Sequence, residues 1–405
     1  MTPPDAAPAL ASASDPFGFD RIIDRRGTHC AKWDKMETLF GVSPDEGLAM
    51  WVADMDFQAP PSVRAALART VEHGVFGYFG DDAAYKAAVT GWMRTRHGWE
   101  VDPDWLSTTH GLVTGTALCV QAFSEPGDGV ILFTPVYHAF HRVIAANGRR
   151  IVQSPLVERD GRHHMDLEAL GRQLDGSERM VIFCSPHNPG GTVWTPEEIR
   201  ALAEFCAERD LILVSDEIHH DLLMPGATHT VASLAAPEHA SRMVILAAAT
   251  KTFNIAGAMT GGVFIADPAL RARFKAVHEA VGASPNAMGM LMVTAAYAGG
   301  ADWLDALCAY LDGNRRLFDA GVNAIPGVRS MPMQATYLSW VDFSGTGMAP
   351  EEFTARVERA AKIAANHGPA FGTGGENWLR FNLATPRARV AQAVERLQTA
   401  FRDLQ

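Results

Sequence analysis

The middle of the chain, from about residue 130 to residue 267, alternates short apolar runs with amphipathic stretches. The apolar runs are at most seven residues long and end at a Pro, Asp or polar turn, which is typical of buried strands. They are VILFTP (130–135), MVIFCSP (180–186), LILVSDE (211–217), MVILAAA (243–249) and GGVFIAD (261–267). The clearest helical pattern, residues 195–210, opens with Thr-Pro and two acidic residues, as helix N-termini do. We therefore predict an α/β fold with helices on both faces of a mostly parallel sheet.

The hydrophobic pattern changes past about residue 300. Residues 303–325 have the period of a long amphipathic helix, and residues 389–404 show the same period at the end of the chain. Residues 335–343 and 377–385 alternate apolar and polar positions, which predicts half-exposed strands. We interpret this part as a smaller α+β domain.

These patterns predict two domains. The large domain is expected over residues 61–300 and the small domain over residues 301–405. Residues 1–60 are expected to form an N-terminal arm and to complete the small domain, so that the large domain is inserted between its two parts. The first 18 residues contain Pro, Ala and Ser but no basic segment with an apolar run, which predicts a flexible arm rather than a signal peptide.

Composition narrows the class of protein. The 405 residues are 47% hydrophobic, which is enough for a large buried core, and the formal net charge of -11 gives no general attraction for nucleic acid or an anionic membrane. The chain contains no uncharged apolar stretch of about 18 residues, so no membrane span is predicted. The five cysteines are scattered without a CxxC pair, so we expect neither a zinc site nor a disulfide framework, and no metal. Such cysteines suit a reducing compartment, and we expect a cytoplasmic protein.

Polar residues follow several of the predicted strands, where the ligands of parallel sheets bind. Lys251 lies just past the run 243–249, where a partly desolvated amine would have a lowered pKa and could form a Schiff base. Asp216 ends another strand, and a protonated pyridine nitrogen is one cation that could pair with it. Asn188 lies in a tight turn and could donate to a ring oxygen. The alternatives are a solvated lysine for Lys251, a helix N-cap or a structural ion pair for Asp216, and ordinary turn chemistry for Asn188.

A glycine-bearing loop runs into a helical pattern at residues 109–118, THGLVTGTAL. The backbone N–H groups of Leu112 and Val113 would be free there to meet a phosphate, aided by the helix dipole. The chain contains no GxGxxG, no GxxxxGK[ST] and no HExxH motif, so dinucleotide, P-loop and zinc-protease sites are not predicted.

The order of these motifs along the chain resembles that of the fold-type I pyridoxal-5′-phosphate (PLP) enzymes, the class I/II aminotransferase superfamily. The resemblance covers nearly the whole chain, and it is closer to the cystathionine β-lyase-like C–S lyases, the MalY/PatB group. It rests on FDRIIDRRGTHCAKWD (19–34), WVADMDF (51–57), HGVFGY (73–78), SDEIHHD (215–221), KTFNIAG (251–257) and the arginine of NWLRFN.

The resemblance implies roles around the cofactor ring. Lys251 would bind PLP and then act as general base and acid, and Asp216 would pair with the pyridine nitrogen. Asn188 would donate to the phenolic oxygen, with His219 near it. Tyr137 would stack on the ring, so that Lys251, Asp216 and Tyr137 carry the catalysis.

The resemblance also implies residues for the phosphate. Backbone N–H groups of Leu112 and Val113 would bind it, with Thr250 as a hydroxyl donor. Tyr78 would reach the phosphate of a neighbouring subunit, which predicts a homodimer.

On the substrate side, the resemblance implies that Arg380 clamps the α-carboxylate of an amino acid, for which its bidentate fork is suited. Asn188 and the backbone N–H of Ala53 would also contact the substrate.

His219 stands where aminotransferases of the superfamily usually carry a tyrosine, and residues 252–262 lack their phosphate-binding arginine. These differences favour α,β-elimination, which converts L-cystathionine or related cysteine S-conjugates to a thiol (homocysteine), pyruvate and ammonia. An aminotransferase on the same scaffold and a PLP-binding regulatory partner of a transcription factor are the alternatives.

Overall fold

A computed structural model describes residues 15–283 and 286–404. Most of the predicted N-terminal arm, residues 1–14, lies outside the described residues. No helix within the described part is long and apolar enough to cross a membrane.

A seven-stranded sheet lies at the centre of the fold. Its strands, in spatial order, are Leu106–Thr109, Gly261–Phe264, Met243–Ala247, Ile212–Asp216, Glu178–Cys184, Gly129–Thr134 and Arg150–Pro155. Neighbours from Met243–Ala247 onward are parallel, whereas Gly261–Phe264 runs antiparallel to both strands beside it. The mostly parallel sheet is therefore confirmed.

The two faces of this sheet are both buried. Alternate residues of one strand belong to separate apolar clusters: Val130 and Leu132 lie in one, and Ile131 and Phe133 in the other. Because successive side chains of a strand point to opposite faces, helices must cover both. The longer helices of this region are Pro61–His73, Ala83–His97, Leu112–Phe123, His138–Ala146, Leu167–Gln173, Pro196–Glu208, Pro268–Ala280 and Ala287–Gly299.

The helix predicted at residues 195–210 is confirmed as Pro196–Glu208. Thr195 is its N-cap: the Thr195 hydroxyl accepts from the Glu198 N–H at 3.2 Å, and the Glu198 carboxylate accepts from the Thr195 N–H at 2.9 Å. This capping box satisfies two donors at the helix start, which is why the helix begins there. Shorter helices are Ala31–Asp34, Met36–Phe40, Ala232–Ala235 and Ala249–Thr252.

A second, antiparallel sheet lies in the C-terminal part of the chain. Its strands, in spatial order, are Arg329–Ser330, Leu338–Asp342, Trp378–Asn382 and Asn366–His367. The helices Ala301–Val322, Pro350–Ala355 and Arg387–Ala400 accompany it. Two-stranded pairs join Leu48–Ala49 to Ile363–Ala364 and Val157–Arg159 to Arg162–His164. The division into domains at residues 60 and 300 stays a prediction.

The expectation of half-exposed strands in this second sheet was wrong. Residues 338–341 and all of Trp378–Asn382 are buried. One face is covered because Trp340 stacks on Trp378, with ring centroids 5.4 Å apart, and Phe371 packs on Trp340. On the other face Phe381 packs against Phe318 of the helix Ala301–Val322 at 5.3 Å.

A buried ion cluster holds the segment around residues 51–57. The Asp56 carboxylate is 3.0 Å from Lys32 Nζ and 2.9 Å from Arg25 Nη1, and it accepts from Trp33 Nε1 at 3.1 Å. Although burial disfavours its charge, these partners hold the pKa of Asp56 at about 2. The segment that follows the strand Leu48–Ala49 is therefore anchored by residues from the N-terminal part of the chain.

Candidate active site

A cavity of about 530 Å³ opens where the parallel strands end. The structure brings ten of the predicted site residues to its wall: Ala53, Leu112, Val113, Tyr137, Asn188, Asp216, His219, Thr250, Lys251 and Arg380. Tyr78 is not among the residues that line it.

Lys251 lies in the short helix Ala249–Thr252, which follows the strand Met243–Ala247. Its ammonium donates a hydrogen bond to the Ala53 carbonyl, across 198 positions of the sequence. Burial lowers the pKa of Lys251 to about 8, and the nearby carboxylates of Asp54 and Asp216 oppose this shift only in part. A useful fraction of the amine is therefore neutral, and nucleophilic, slightly above neutral pH.

Asp216 is the last residue of the strand Ile212–Asp216 and is 5% exposed. Its Oδ1 accepts from the Ile218 N–H at 3.1 Å. Burial raises the pKa of this carboxyl to about 7, against the opposing effect of that N–H and of Lys251. A cationic ring nitrogen against the carboxylate would reverse the shift, because an opposite charge favours the ionised form.

Arg380 projects from the strand Trp378–Asn382 and is 2% exposed. Nη1 donates to Asn188 Oδ1 at 2.9 Å, and Nη2 donates to the Trp51 carbonyl at 3.0 Å and to Asn366 Oδ1 at 2.6 Å. These acceptors are all neutral, and Nε has no hydrogen-bond partner within the described residues. Burial lowers the pKa of the guanidinium to about 10, so it stays charged at neutral pH. A buried cation without a carboxylate partner among the described residues fits an anionic substrate group.

The predicted phosphate-binding loop is the start of the helix Leu112–Phe123. Gly111 precedes it with φ 79°, a left-handed value that favours glycine. The first N–H groups of a helix have no partner inside it, so those of Leu112 and Val113 are available to a ligand. Thr250, which is 7% exposed, lines the same cavity with its hydroxyl-bearing side chain.

Tyr137 and His219 lie on the cavity wall as neutral groups. Tyr137 precedes the helix His138–Ala146, and burial raises the pKa of its phenol. His219 is 1% exposed, its Nδ1 has no partner among the described residues, and burial lowers its pKa well below the usual value. An unpartnered buried ring nitrogen costs stability unless a ligand bonds to it.

The site therefore fits a flat cofactor with a cationic ring nitrogen and a phosphate. Among the described residues, Asp216 has no ion-pair partner and His219 Nδ1 has no hydrogen-bond partner, and the helix start at Leu112 offers N–H groups to an anion. The cofactor's aldehyde would meet Lys251, whose lowered pKa suits the attack.

Sequence reasoning missed several residues of the site. Tyr337 donates its hydroxyl to the Ala53 carbonyl at 2.9 Å, so that carbonyl accepts from both Tyr337 and Lys251. Asn366 meets Arg380 because the two are register partners across neighbouring strands. A pairing register between distant strands has no local signal in the sequence. The predicted use of the Ala53 N–H stays a prediction.

Tyr78 lies outside the site of this chain. It is fully exposed, and Val75 and Phe76 beside it are also exposed, at 69% and 62%. Its predicted contact with the phosphate of a neighbouring subunit stays a prediction.

Known proteins match the chain over nearly its full length. The sequence model of the family described as "Aminotransferase class I and II" matches residues 48–397. The chain belongs to this family. Cystathionine beta-lyase PatB of Bacillus subtilis (strain 168) is 40% identical over 387 residues, which cover 95% of this chain and 100% of that protein.

Solved structures of similar proteins share the fold. Cystalysin from Treponema denticola, whose structure contains pyridoxal 5′-phosphate, is 34% identical with a TM-score of 0.91, covering 96% of this chain and 100% of that one. The PLP-bound C–S lyase from Staphylococcus hominis is 28% identical with a TM-score of 0.87, covering 95% and 98%. These likenesses confirm the fold-type I architecture, including its resemblance to the C–S lyases.

Proposed function

We propose that this member of the class I and II aminotransferase family is a PLP-dependent C–S β-lyase. It would cleave the Cβ–S bond of L-cystathionine or a related cysteine S-conjugate to give a thiol, pyruvate and ammonia. The observation that carries the proposal is that Lys251, Asp216 and Arg380 line one cavity. The names of the relatives, which include a cystathionine β-lyase and a C–S lyase, support the reaction type.

PLP, when bound, supplies the electron sink for the electron pair left at the substrate Cα. Lys251 would hold the cofactor covalently and, once displaced by the substrate amine, take the Cα proton on Nζ. Its lowered pKa makes the neutral amine available for this step. The Ala53 carbonyl, which accepts a hydrogen bond from Lys251 Nζ, holds the amine on the side of the cavity where residues 51–53 lie.

Arg380 would bind the substrate α-carboxylate and so orient the Cα–H bond. The contacts to Asn188, Trp51 and Asn366 hold its guanidinium in one position before the substrate arrives. Asp216 would keep the ring nitrogen of the cofactor protonated, and Asn188 and His219 would face the ring oxygen. Tyr137 would pack on the ring, and Leu112, Val113 and Thr250 would hold the phosphate.

Two features of the chain favour elimination over amino transfer. His219 takes the place at which aminotransferases of the superfamily usually have a tyrosine, and residues 252–262 contain no arginine. The family itself is described by its aminotransferases, so amino transfer is the second candidate. It would require a keto acid for continued turnover, whereas elimination would not.

The test is product formation from L-cystathionine by PLP-loaded protein in the absence of any keto acid. Sustained release of pyruvate and thiol in equal amounts is expected, with no turnover by Lys251→Ala. A single loss of the lysine-bound absorbance band without pyruvate would instead support the aminotransferase. If wild type and Lys251→Ala show the same visible spectrum after PLP loading, the assignment of Lys251 is wrong.

We further propose that the protein acts as a homodimer in the cytoplasm. The exposed Tyr78, with the exposed apolar side chains of Val75 and Phe76, supports a contact with a second subunit. The five free cysteines support a reducing compartment. The large domain, residues 61–300, would contribute most of the cavity, and residues 1–60 and 301–405 would add Ala53 and Arg380.

A further inference from the structure

A second cluster of ionisable side chains lies apart from the cavity, between the end of the helix Ala83–His97 and the segment after Asp216. We name it the histidine cluster, and its members are His97, Glu217, His220, Asp221 and His229. The imidazole rings of His97 and His220 are 4.3 Å apart between centroids, and that of His229 is 6.0 Å from each. The function proposed above uses none of these five residues.

Two carboxylates of the histidine cluster are buried without a permanent cation. Glu217 is 0% and Asp221 is 3% exposed. Within the described part of the chain, their ion-pair partners are imidazoles alone. Buried carboxylates require positive charge close by, because desolvation is costly for an uncompensated ion. The charge of Arg96, which acts on Asp221 without an ion pair, supplies part of this compensation, and protonated imidazoles or a bound cation can supply the rest.

His220 is the member whose bonding is incomplete. It is 0% exposed, and neither of its ring nitrogens has a hydrogen-bond partner in the described residues. Its Nε2 makes a 3.2 Å ion-pair contact with Asp221 Oδ2. A buried imidazole beside a carboxylate, with a ring nitrogen that lacks a hydrogen-bond partner, is suited to bind a metal.

We propose that His97, His220 and Asp221 bind a divalent cation of the zinc class. One ligand atom from each lies within 4.8 Å of the others. Nitrogen and oxygen ligands sit about 2.0–2.2 Å from zinc, so ligand atoms on different sides of the ion are roughly 3–4 Å apart, and small side-chain shifts close the site. Two imidazoles and a carboxylate are a donor set that zinc accepts.

Two hydrogen bonds from residues outside the proposed ligand set orient the Asp221 carboxylate. Trp92 Nε1 donates to Asp221 Oδ1 at 3.1 Å, and Thr252 Oγ1 donates to Oδ2 at 2.8 Å. Donors of this kind orient a ligating carboxylate and raise the affinity of a metal site. Beside the cluster, a cavity of about 600 Å³ is lined by His97, His220, Asp221 and His229, though not by Glu217, and it leaves room for a water molecule as fourth ligand.

A second set, Glu217, His220 and His229, also has ligand atoms within 4.8 Å of one another. Glu217 accepts from His229 Nε2 at 2.8 Å, from Ser215 Oγ at 3.0 Å and from the Ala232 N–H at 2.9 Å, much as Asp221 accepts from His97 Nε2 at 2.9 Å. Glu217 differs from Asp221 in that it does not line the cavity from which water could complete a metal site. His229 thus completes a structural pair with Glu217. Mutation can distinguish the two sets, because loss of His97 should abolish the proposed site whereas loss of His229 should not.

The test is zinc binding by tag-free, PLP-loaded protein that has been treated with a chelator and then equilibrated with Zn²⁺. About one zinc per chain is expected after gel filtration, measured by elemental analysis, for one site of this kind. The loss of an outer contact lowers the affinity of a metal site by roughly 10- to 100-fold. The loss of a ligand in His97→Asn or His220→Asn should weaken zinc binding by at least this factor. His229→Asn should retain zinc, as should His29→Asn, which removes an exposed histidine.

A second measurement covers the case in which the variants at His97 or His220 do not fold. Wild-type protein loaded with Co²⁺ should give the visible absorption of a four-coordinate ion, and X-ray absorption should show two imidazole ligands. Substoichiometric zinc in the wild type overturns the proposal. So does zinc that survives in folded His97→Asn, or zinc that is lost in His229→Asn alone.

Discussion

Replacement of Arg380 by lysine should weaken substrate capture while the positive charge is kept. The guanidinium is held by Asn188, Trp51 and Asn366 and carries no carboxylate partner among the described residues, so we assign it to the substrate carboxylate. A planar fork donates two hydrogen bonds to a carboxylate, whereas a lysine ammonium at the same place is expected to donate one.

The magnitude follows from the lost bond. A hydrogen bond to a charged group contributes about 1.5–3 kcal/mol, so kcat/KM for L-cystathionine should fall by roughly 10- to 150-fold. Most of the change should appear as a higher KM, because the carboxylate is bound in both the ground state and the transition state.

The assay is pyruvate release across a range of substrate concentrations, with thermal unfolding measured in parallel. Arg329→Lys is the matched control, since Arg329 belongs to the same sheet but pairs with Glu158 and Asp342 outside the cavity. A value of kcat/KM within about threefold of wild type, less than 1 kcal/mol, would refute the assignment of Arg380. A large fall in kcat with unchanged KM would refute the reasoning about ground-state binding.

Three further predictions follow from burial and exposure. Burial raises the pKa of Asp216 to about 7, so the protonated carboxyl should stabilise the cofactor-free protein below pH ~4, and this contribution should be lost as pH rises through about 7. Asp216→Asn should remove that part of the pH dependence of the melting temperature, and an unchanged profile would contradict the prediction. Tyr78→Phe should weaken PLP binding by roughly 10- to 100-fold, the loss of one hydrogen bond to a charged group, in equilibrium dialysis of the dimer; unchanged affinity would remove Tyr78 from the phosphate site. Trp340→Ala should lower the free energy of unfolding in urea by about 3–5 kcal/mol, whereas Val157→Ala, at an exposed position, should change it by less than about 0.5 kcal/mol; equal effects would contradict the buried sheet.

The placement of side chains at one cavity is where sequence reasoning agrees with the structure. Lys251 and Asp216 could be singled out because each follows a recognisable apolar run, and the ends of parallel strands meet at one edge of the sheet. The resemblance to the PLP enzymes then predicted further residues, of which Arg380 and Asn188 line the same cavity. Their mutual hydrogen bond, between residues 192 positions apart, was not foreseen.

The two C-terminal strands show where it fails. Alternation at residues 335–343 predicted a polar, exposed face, yet Ser339 is 1% exposed. Ser339 pairs with Phe381 in the neighbouring strand, where the helix Ala301–Val322 packs. A sequence pattern reports which residues tolerate water, but which surfaces are covered depends on elements far away in the chain.

The sequence by itself determined the alternation of strands and helices, the mostly parallel sheet and the ionisable and polar side chains at the strand ends. These features depend on local periodicity and on the order of residues. Only the tertiary structure decided the burial that shifts the pKa of Lys251 and Asp216 and the neutral acceptors that fix Arg380. It also decided the meeting of His97 with Asp221 across 124 positions. These properties depend on desolvation and on contacts between distant segments, and both arise when the chain packs.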